Sequence, residues 1–236
     1  MPASPPPAGL EVKSRFLEGL RPSEMELVLE RAKQRHFSPK SVMTRQGAPA
    51  DHLCLLWKGR ARYFLVTPNG KRILLMWIAP GSIFGGLALR EKRATYIVSV
   101  EAVHDCTALV WDRAAIRVLS KRFPVLLENC IEIAAEYISW YTDAHGTVTS
   151  RTAPERLAQA LFSLASTVGQ KVPGGVELRV TNEDLASTAN ITPYTTCRIL
   201  SQWQRWGLVR KDRGAIILHS ADDLLSTLLS TGARRS

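Results

Sequence analysis

Residues 181–207 read TNEDLASTANITPYTTCRILSQWQRWG, and the organisation of this stretch decides the fold. Thr181 is placed to cap a short helix, and Glu183 and Asp184 suit its first turn, where peptide N–H groups are unpaired and the helix dipole is positive. Leu185, Ala186 and Ala189 supply its buried side, with Ala186 small enough for a second helix to approach. Asn190 tolerates the left-handed backbone of a tight turn. Ile191 is expected to plug the core between the helices. Thr192 followed by Pro193 starts a second helix, as a cap and a first-turn proline. Ile199, Leu200 and Trp203 then face inward, and Gly207 ends the helix. This is a helix-turn-helix pattern, although a helical hairpin in an ordinary core would share much of it.

The side chains left outward at the start of the second helix are Tyr194, Thr195, Cys197 and Arg198. A recognition helix presents its N-terminal side chains to base edges in the major groove of DNA. Arg198 is the best base reader, because its fork donates two hydrogen bonds to guanine O6 and N7. Thr192, Thr195 and Ser201 suit phosphates, and Pro193 belongs with them at the helix start. Cys197 reads in two ways, as a small residue that lets the helix approach the groove or as a redox-sensitive thiol beside arginine. Arg210, Lys211 and Arg213 lie around Gly214, between the short runs Leu208-Val209 and Ala215 to Leu218. That arrangement predicts a wing whose tip touches the DNA backbone.

Upstream, Pro154 starts an amphipathic helix through Leu157, Leu161, Leu164 and Ala165, ending near Gly169. The stretch 170–175 reads as a turn, and 176–180 alternates like a strand. From Phe123 to Thr149, positions Leu127, Ile131, Ala134, Ile138, Tyr141, His145 and Val148 are spaced in alternating steps of four and three. That is a heptad seam suited to a partner helix. A second stripe, Leu126, Cys130, Ile133, Tyr137, Trp140 and Ala144, runs beside it and suits packing on the rest of the chain. Between Ser41 and Trp111, short apolar runs alternate with turns such as Thr67-Pro68-Asn69-Gly70. The runs are 53–57, 63–66, 73–79, 96–100 and 107–111, the signature of a β-sandwich or barrel. A first helix is expected from Pro22 to about Gln34, and Asp112 is placed to cap another.

The expected fold class is therefore α+β. It has a disordered tail at 1–15, a jelly-roll-like β domain at 16–122, a dimerisation helix at 123–149 and a winged helix-turn-helix at 150–236. With 31 Lys and Arg against 21 Asp and Glu, the formal charge is +10, which favours a polyanionic partner. Cys54, Cys106, Cys130 and Cys197 contain no C-x-x-C pair, which argues against structural zinc and against a disulfide framework. No run approaches the roughly 18 apolar residues of a membrane span, and MPASPPPAGL does not read as a signal peptide. A cytoplasmic protein with no membrane partner is expected. No Ser/His/Asp set, paired carboxylates or P-loop marks an enzyme. The alternative reading is a β-roll regulatory module that does not bind DNA.

The order of parts resembles the cyclic-AMP receptor protein and fumarate–nitrate regulator (CRP/FNR) superfamily of bacterial transcription regulators. The likeness is densest in Arg156-Leu-Ala-Gln-Ala-Leu161, Thr195-Thr-Cys-Arg-Ile-Leu200 and Gly81-Ser-Ile-Phe-Gly-Gly-Leu87. It implies a homodimer on a palindromic site, with a signal sensed in the β-roll. It also implies that the turn from Gln170 to Glu177, above all Val172-Pro173-Gly174-Gly175, is a candidate activating contact with RNA polymerase. By the same likeness the effector pocket would involve Phe84, Gly85, Gly86, Leu87, Arg93, Tyr96, Tyr137 and Tyr141. Nucleotide-binding members carry a glutamate for the ribose and an arginine for the cyclic phosphate where this chain has Gly86 and Tyr96. That departure argues against a cyclic nucleotide, since the phosphate loses its charge-assisted partner; Arg90 and Arg93 are the nearby substitutes. No cysteine precedes Cys54, so an iron–sulfur cluster is not expected; haem stays open through His52, His104 and Pro2. A DNA binder needing no effector is also open. Tyr194 stands where many members have a glutamate that accepts from cytosine, which predicts an altered half-site.

Overall fold

The computed structural model describes residues 13–70, 72–150, 152–212 and 214–219, so most of the expected tail and Arg213 lie outside the described residues. Two compact units part between Trp140 and Tyr141, within the long helix whose end, near residue 150, is the expected boundary.

The first unit contains α1 (Pro22–Glu30), β1 (Lys33–Phe37), β2 (Val42–Thr44), β3 (His52–Lys58), β4 (Ala61–Val66), β5 (Arg72–Ile78), β6 (Ile83–Phe84), β7 (Ser99–Ala102), β8 (Cys106–Asp112), α2 (Arg113–Arg122) and the start of α3 (Val125–Ser150). The strands form two antiparallel sheets, β1-β8-β3-β6 and β2-β7-β4-β5. Successive strand residues point to opposite faces, so β3 feeds two cores at once. Cys54 and Leu56 go between the sheets with Phe84, Val100 and Val110. Leu53 and Leu55 go to the other face with Phe16, Trp111, Ile116 and Leu126, against the helices. That double burial is why residues 53–57 read as an unbroken apolar run.

Several expected boundaries need correction. The first helix stops at Glu30, and 33–37 pairs with β8 as an edge strand. Its Lys-Gln-Arg-His-Phe composition hid it, because edge strands are guarded by charge rather than patterned by alternation. The strand expected at 96–100 runs instead from Ser99 to Ala102, leaving Tyr96 in the preceding loop. Residues 170–172, expected as a turn, pair with 175–177 as a hairpin. The turn after Thr67 is as read: Gly70 takes a φ of +78° and its N–H donates to the Thr67 carbonyl at 2.8 Å. Asp112 caps α2, accepting from the Ala115 N–H at 2.8 Å.

On the outer face of the second sheet, the almost fully buried Glu101 accepts from Arg62 Nη2 at 2.8 Å and Arg72 Nη2 at 2.6 Å. Burial opposes its ionisation, but the hydrogen bonds from Arg72 and Arg62 outweigh that and hold the carboxyl below its ordinary range.

The two stripes of α3 have separate fates. Leu126 is fully buried, Cys130 and Ile133 pack on the helical core, and the Tyr137 ring meets Tyr63 edge-on at 6.1 Å. Leu127, Ile131, Ile138 and Tyr141 stand 44–66% exposed, with Ala134 exposed among them. The side chains of Trp140, Ala144, His145 and Val148 lie outside the described ones. Asn129 Nδ2 straps the N-terminal segment to this helix, donating to the carbonyls of Phe16 (3.0 Å) and Glu18 (2.9 Å). Arg15 pairs with Glu136 on the same face, and Ser14 Oγ donates to the Gly81 carbonyl at 2.6 Å. The last residues of the expected tail are thus anchored.

The second unit holds the rest of α3, then α4 (Ala153–Val168), β9 (Gln170–Val172), β10 (Gly175–Leu178), α5 (Asn182–Thr188), α6 (Pro193–Arg205), β11 (Val209–Asp212) and β12 (Ala215–Leu218). Its sheet runs β11-β12-β10-β9. Leu157, Leu161, Leu185, Leu200 and Trp203 are almost fully buried.

Candidate nucleic-acid interface

The start of α5 is fixed by a reciprocal cap. Thr181 Oγ1 accepts from the Asp184 N–H at 3.1 Å, and the Asp184 carboxylate accepts from the Thr181 N–H at 3.2 Å. Leu185, Ala186 and Ala189 are buried as expected, and Asn190 takes a φ of +50° in the turn. Ile191 does not plug the core. Its N–H donates to the Ala186 carbonyl at 2.9 Å while its side chain is half-buried. Thr196, by contrast, is fully buried, and its hydroxyl donates to the Thr192 carbonyl at 3.1 Å. A hydroxyl that satisfies itself on its own helix enters a core at little cost.

Thr192 caps α6, its Oγ1 accepting from the Thr195 N–H at 3.1 Å and lying 2.9 Å from the Thr195 hydroxyl. Both threonines thus serve the helix start next to Pro193, with the half-buried Thr195 set inward. Tyr194 is 79% exposed, and Cys197, Arg198 and Ser201 are exposed beside it. On β11, Arg210 is exposed, while Lys211 Nζ donates to Ser201 Oγ at 3.1 Å.

One residue of this assembly had no role in the sequence reading. Arg156, on α4, donates through Nε to the Ala189 carbonyl at 3.0 Å and through Nη2 to the Asn190 carbonyl at 3.4 Å. It places a cation on the carbonyls that close α5, where the helix dipole is negative. No local pattern announces a contact across 33 residues.

The residues expected around an effector are placed as follows. Phe84 is buried between the sheets. Gly85 takes a φ of +80°, and a Cβ there would fall 2.5 Å from the His52 carbonyl oxygen, so only glycine fits. Gly86 and Leu87 form a short 3-10 turn against α3, and a Cβ at 86 would meet Cys130 Sγ at 2.9 Å. Tyr96 is buried: its hydroxyl accepts from the His52 N–H at 3.1 Å and donates to the His52 carbonyl at 3.0 Å. Burial pushes the Tyr96 phenol up to about 12, and the same cause raises Tyr137 to about 12. Arg90 and Arg93 are exposed, and Tyr141 lies on the exposed stripe of α3. Among the described residues no three His, Cys, Asp or Glu side chains group as a metal site.

Two family models match the chain, a cyclic nucleotide-binding domain over residues 34–123 and a Crp-like helix-turn-helix domain over residues 155–227. Together they span more than half of it. The chain belongs to the CRP/FNR superfamily. As a member it is a DNA-binding transcription regulator. It is 22% identical over 219 residues to the CRP-like cAMP-activated global transcriptional regulator of Mycobacterium tuberculosis, covering 90% of this chain and 95% of that one. It is 24% identical over 208 residues to the cyclic AMP receptor protein of Thermus thermophilus, covering 88% and 94%. In fold it is similar to the c-di-GMP-responsive global regulator CLP of Xanthomonas campestris, with a TM-score of 0.74, 17% identity and coverage of 85% and 100%. A second similar structure is FixK2 of Bradyrhizobium japonicum, with a TM-score of 0.72, 19% identity and coverage of 83% and 96%.

Proposed function

We propose that this CRP/FNR regulator works in the bacterial cytoplasm as a homodimer. It would pair through the Leu127, Ile131, Ala134, Ile138 and Tyr141 stripe and read a palindromic duplex with Arg198 and Tyr194. The observation that carries the proposal is the exposed start of α6, where the caps and the Arg156 contacts leave Tyr194 and Arg198 free. Arg198 reads a guanine, Tyr194 offers its ring to a neighbouring base or thymine methyl, and Arg210 and Arg213 meet the backbone. Cys197 serves as a small residue that allows close approach. In vitro selection from random duplexes, followed by gel shift, tests this reading. A single enriched inverted repeat bound by a dimer is expected, and the absence of saturable, sequence-dependent binding overturns it.

The signal is not a cyclic nucleotide in this proposal. What supports this is Tyr96, which stands where the family arginine would meet the phosphate and uses its hydroxyl on the His52 backbone. Similar proteins are named for cAMP and for c-di-GMP, so the fold does not dictate the signal. Calorimetric titration with cAMP and cGMP is expected to show no binding. The exposed Pro173-Gly174 tip of the β9–β10 hairpin is the proposed RNA polymerase contact. Haem does not enter the proposal.

A further inference from the structure

We propose that Lys211, although carried on the wing strand β11, works as part of the α6 reading surface. With Ser201 it forms a two-donor phosphate clamp one turn beyond Arg198. The inference rests on the DNA-reading role proposed above for α6.

The sequence alone sends Lys211 to the wing tip with Arg210 and Arg213. The structure turns it back over the recognition helix, with Nζ 3.1 Å from Ser201 Oγ. Its base is well fixed: Lys211 pairs with Ile216 in the β11–β12 ladder, and Ile216 is buried. Ser201 is exposed and lies three residues after Arg198, hence on the same helix face one turn on.

The donor count points to the ligand. An ammonium carries three N–H donors and no acceptor; a hydroxyl carries one donor and two lone pairs. Lys211 spends one donor on a Ser201 lone pair. Two ammonium hydrogens and the Ser201 hydroxyl hydrogen then remain, side by side, for an external acceptor. Base edges offer mixed donors and acceptors and little charge, whereas a backbone phosphate offers two non-bridging oxygens that share a full negative charge. A lysine binds phosphate as a point charge without reading sequence. Ser201 thereby steers a cation from the wing to the backbone flanking the base that Arg198 reads.

The test compares wild type, Lys211→Met and Ser201→Lys/Lys211→Met across a salt series. The probes are the duplex selected by wild type and a scrambled duplex of equal length. A single phosphate contact contributes about 0.9 to the slope of log affinity on log salt. In the proposed dimer two such contacts are lost, so Lys211→Met is expected to lower the slope by about 1.8 and to weaken both duplexes alike, about sixtyfold at 0.1 M salt relative to 1 M. Ser201→Lys/Lys211→Met restores the slope, because it returns an ammonium to the same face of α6. Matched thermal melts check that both variants fold. An unchanged slope in Lys211→Met overturns the proposal, as does a lost slope that lysine at 201 fails to restore. Non-specific binding carries the same phosphate contribution, so the comparison also stands if no sequence is selected. In that event base reading by Arg198 falls, and the clamp is judged by the slopes alone. Absence of all duplex binding overturns both.

Discussion

Arg156, Arg198 and Glu101 are charged residues whose surroundings give them different work. Removing Arg156 would leave the Ala189 and Asn190 carbonyls without their cationic donor. Arg156→Ala is expected to cost about 1–2 kcal/mol of the C-terminal unit's stability in urea unfolding, while the selected DNA sequence stays the same. Arg198→Ala is expected to do the reverse. It keeps the melting temperature, loses about 1–3 kcal/mol of binding per half-site, and relaxes preference at one base position in each half-site in gel shifts with single-base variants. Glu101 links stability to acid. Its carboxyl is held below the ordinary value of about 4.3 in the folded state, so the native protein binds fewer protons than the unfolded chain at low pH. That contribution is complete above the ordinary value and is lost as pH falls through the lower folded one. Glu101→Gln is expected to flatten this part of the acid-unfolding curve. At pH 7 it costs about 2 kcal/mol, less than a fully buried pair because Arg72 is half exposed.

At the scale of the element, the long helix separates its two faces cleanly. Leu126→Ala, on the buried stripe, is expected to cost about 2–4 kcal/mol in thermal or urea unfolding. Ile138→Glu, on the exposed stripe, is expected to leave the fold intact, yield monomer in sedimentation and remove high-affinity binding to the palindrome. As far as Tyr141 both stripes were legible in the sequence, because a helix this long repeats its period several times. The capped helices at 181–205 were legible for a related reason: Thr181, Asn190, Thr192 and Pro193 are local signals whose physics does not depend on the rest of the chain. The edge strand 33–37 and the short strands 42–44 and 83–84 were not legible. Each is defined by hydrogen bonds to a partner far along the chain; 33–37 carries charge in place of an apolar pattern, and the other two are too short for a period of two to show. The same holds inside the candidate interface. Arg156 and Lys211 act through contacts that only folding creates, and Thr196 is buried with a self-satisfied hydroxyl where Ile191 stays half-buried.

For the whole molecule, a dimer that reads a palindrome sets its two recognition helices about 34 Å apart, one turn of B-DNA. Inserting about five base pairs between the selected half-sites puts them on opposite faces of the duplex. Affinity in gel shifts is then expected to fall to that of scrambled DNA. Restoring the spacing should restore binding. The chain's charge of +10 adds to this a sequence-independent attraction that weakens with salt. The Arg156 contacts carry a practical corollary for anyone transplanting this DNA specificity onto another sensor. The reading head does not begin at Thr181, where its pattern begins; it includes α4, whose own N-terminus is secured by Thr152 and Glu155. A graft that starts at residue 181 leaves the donor arginine behind and delivers a loosened turn. One spliced ahead of Thr152 carries cap, clasp and reader as a single portable piece.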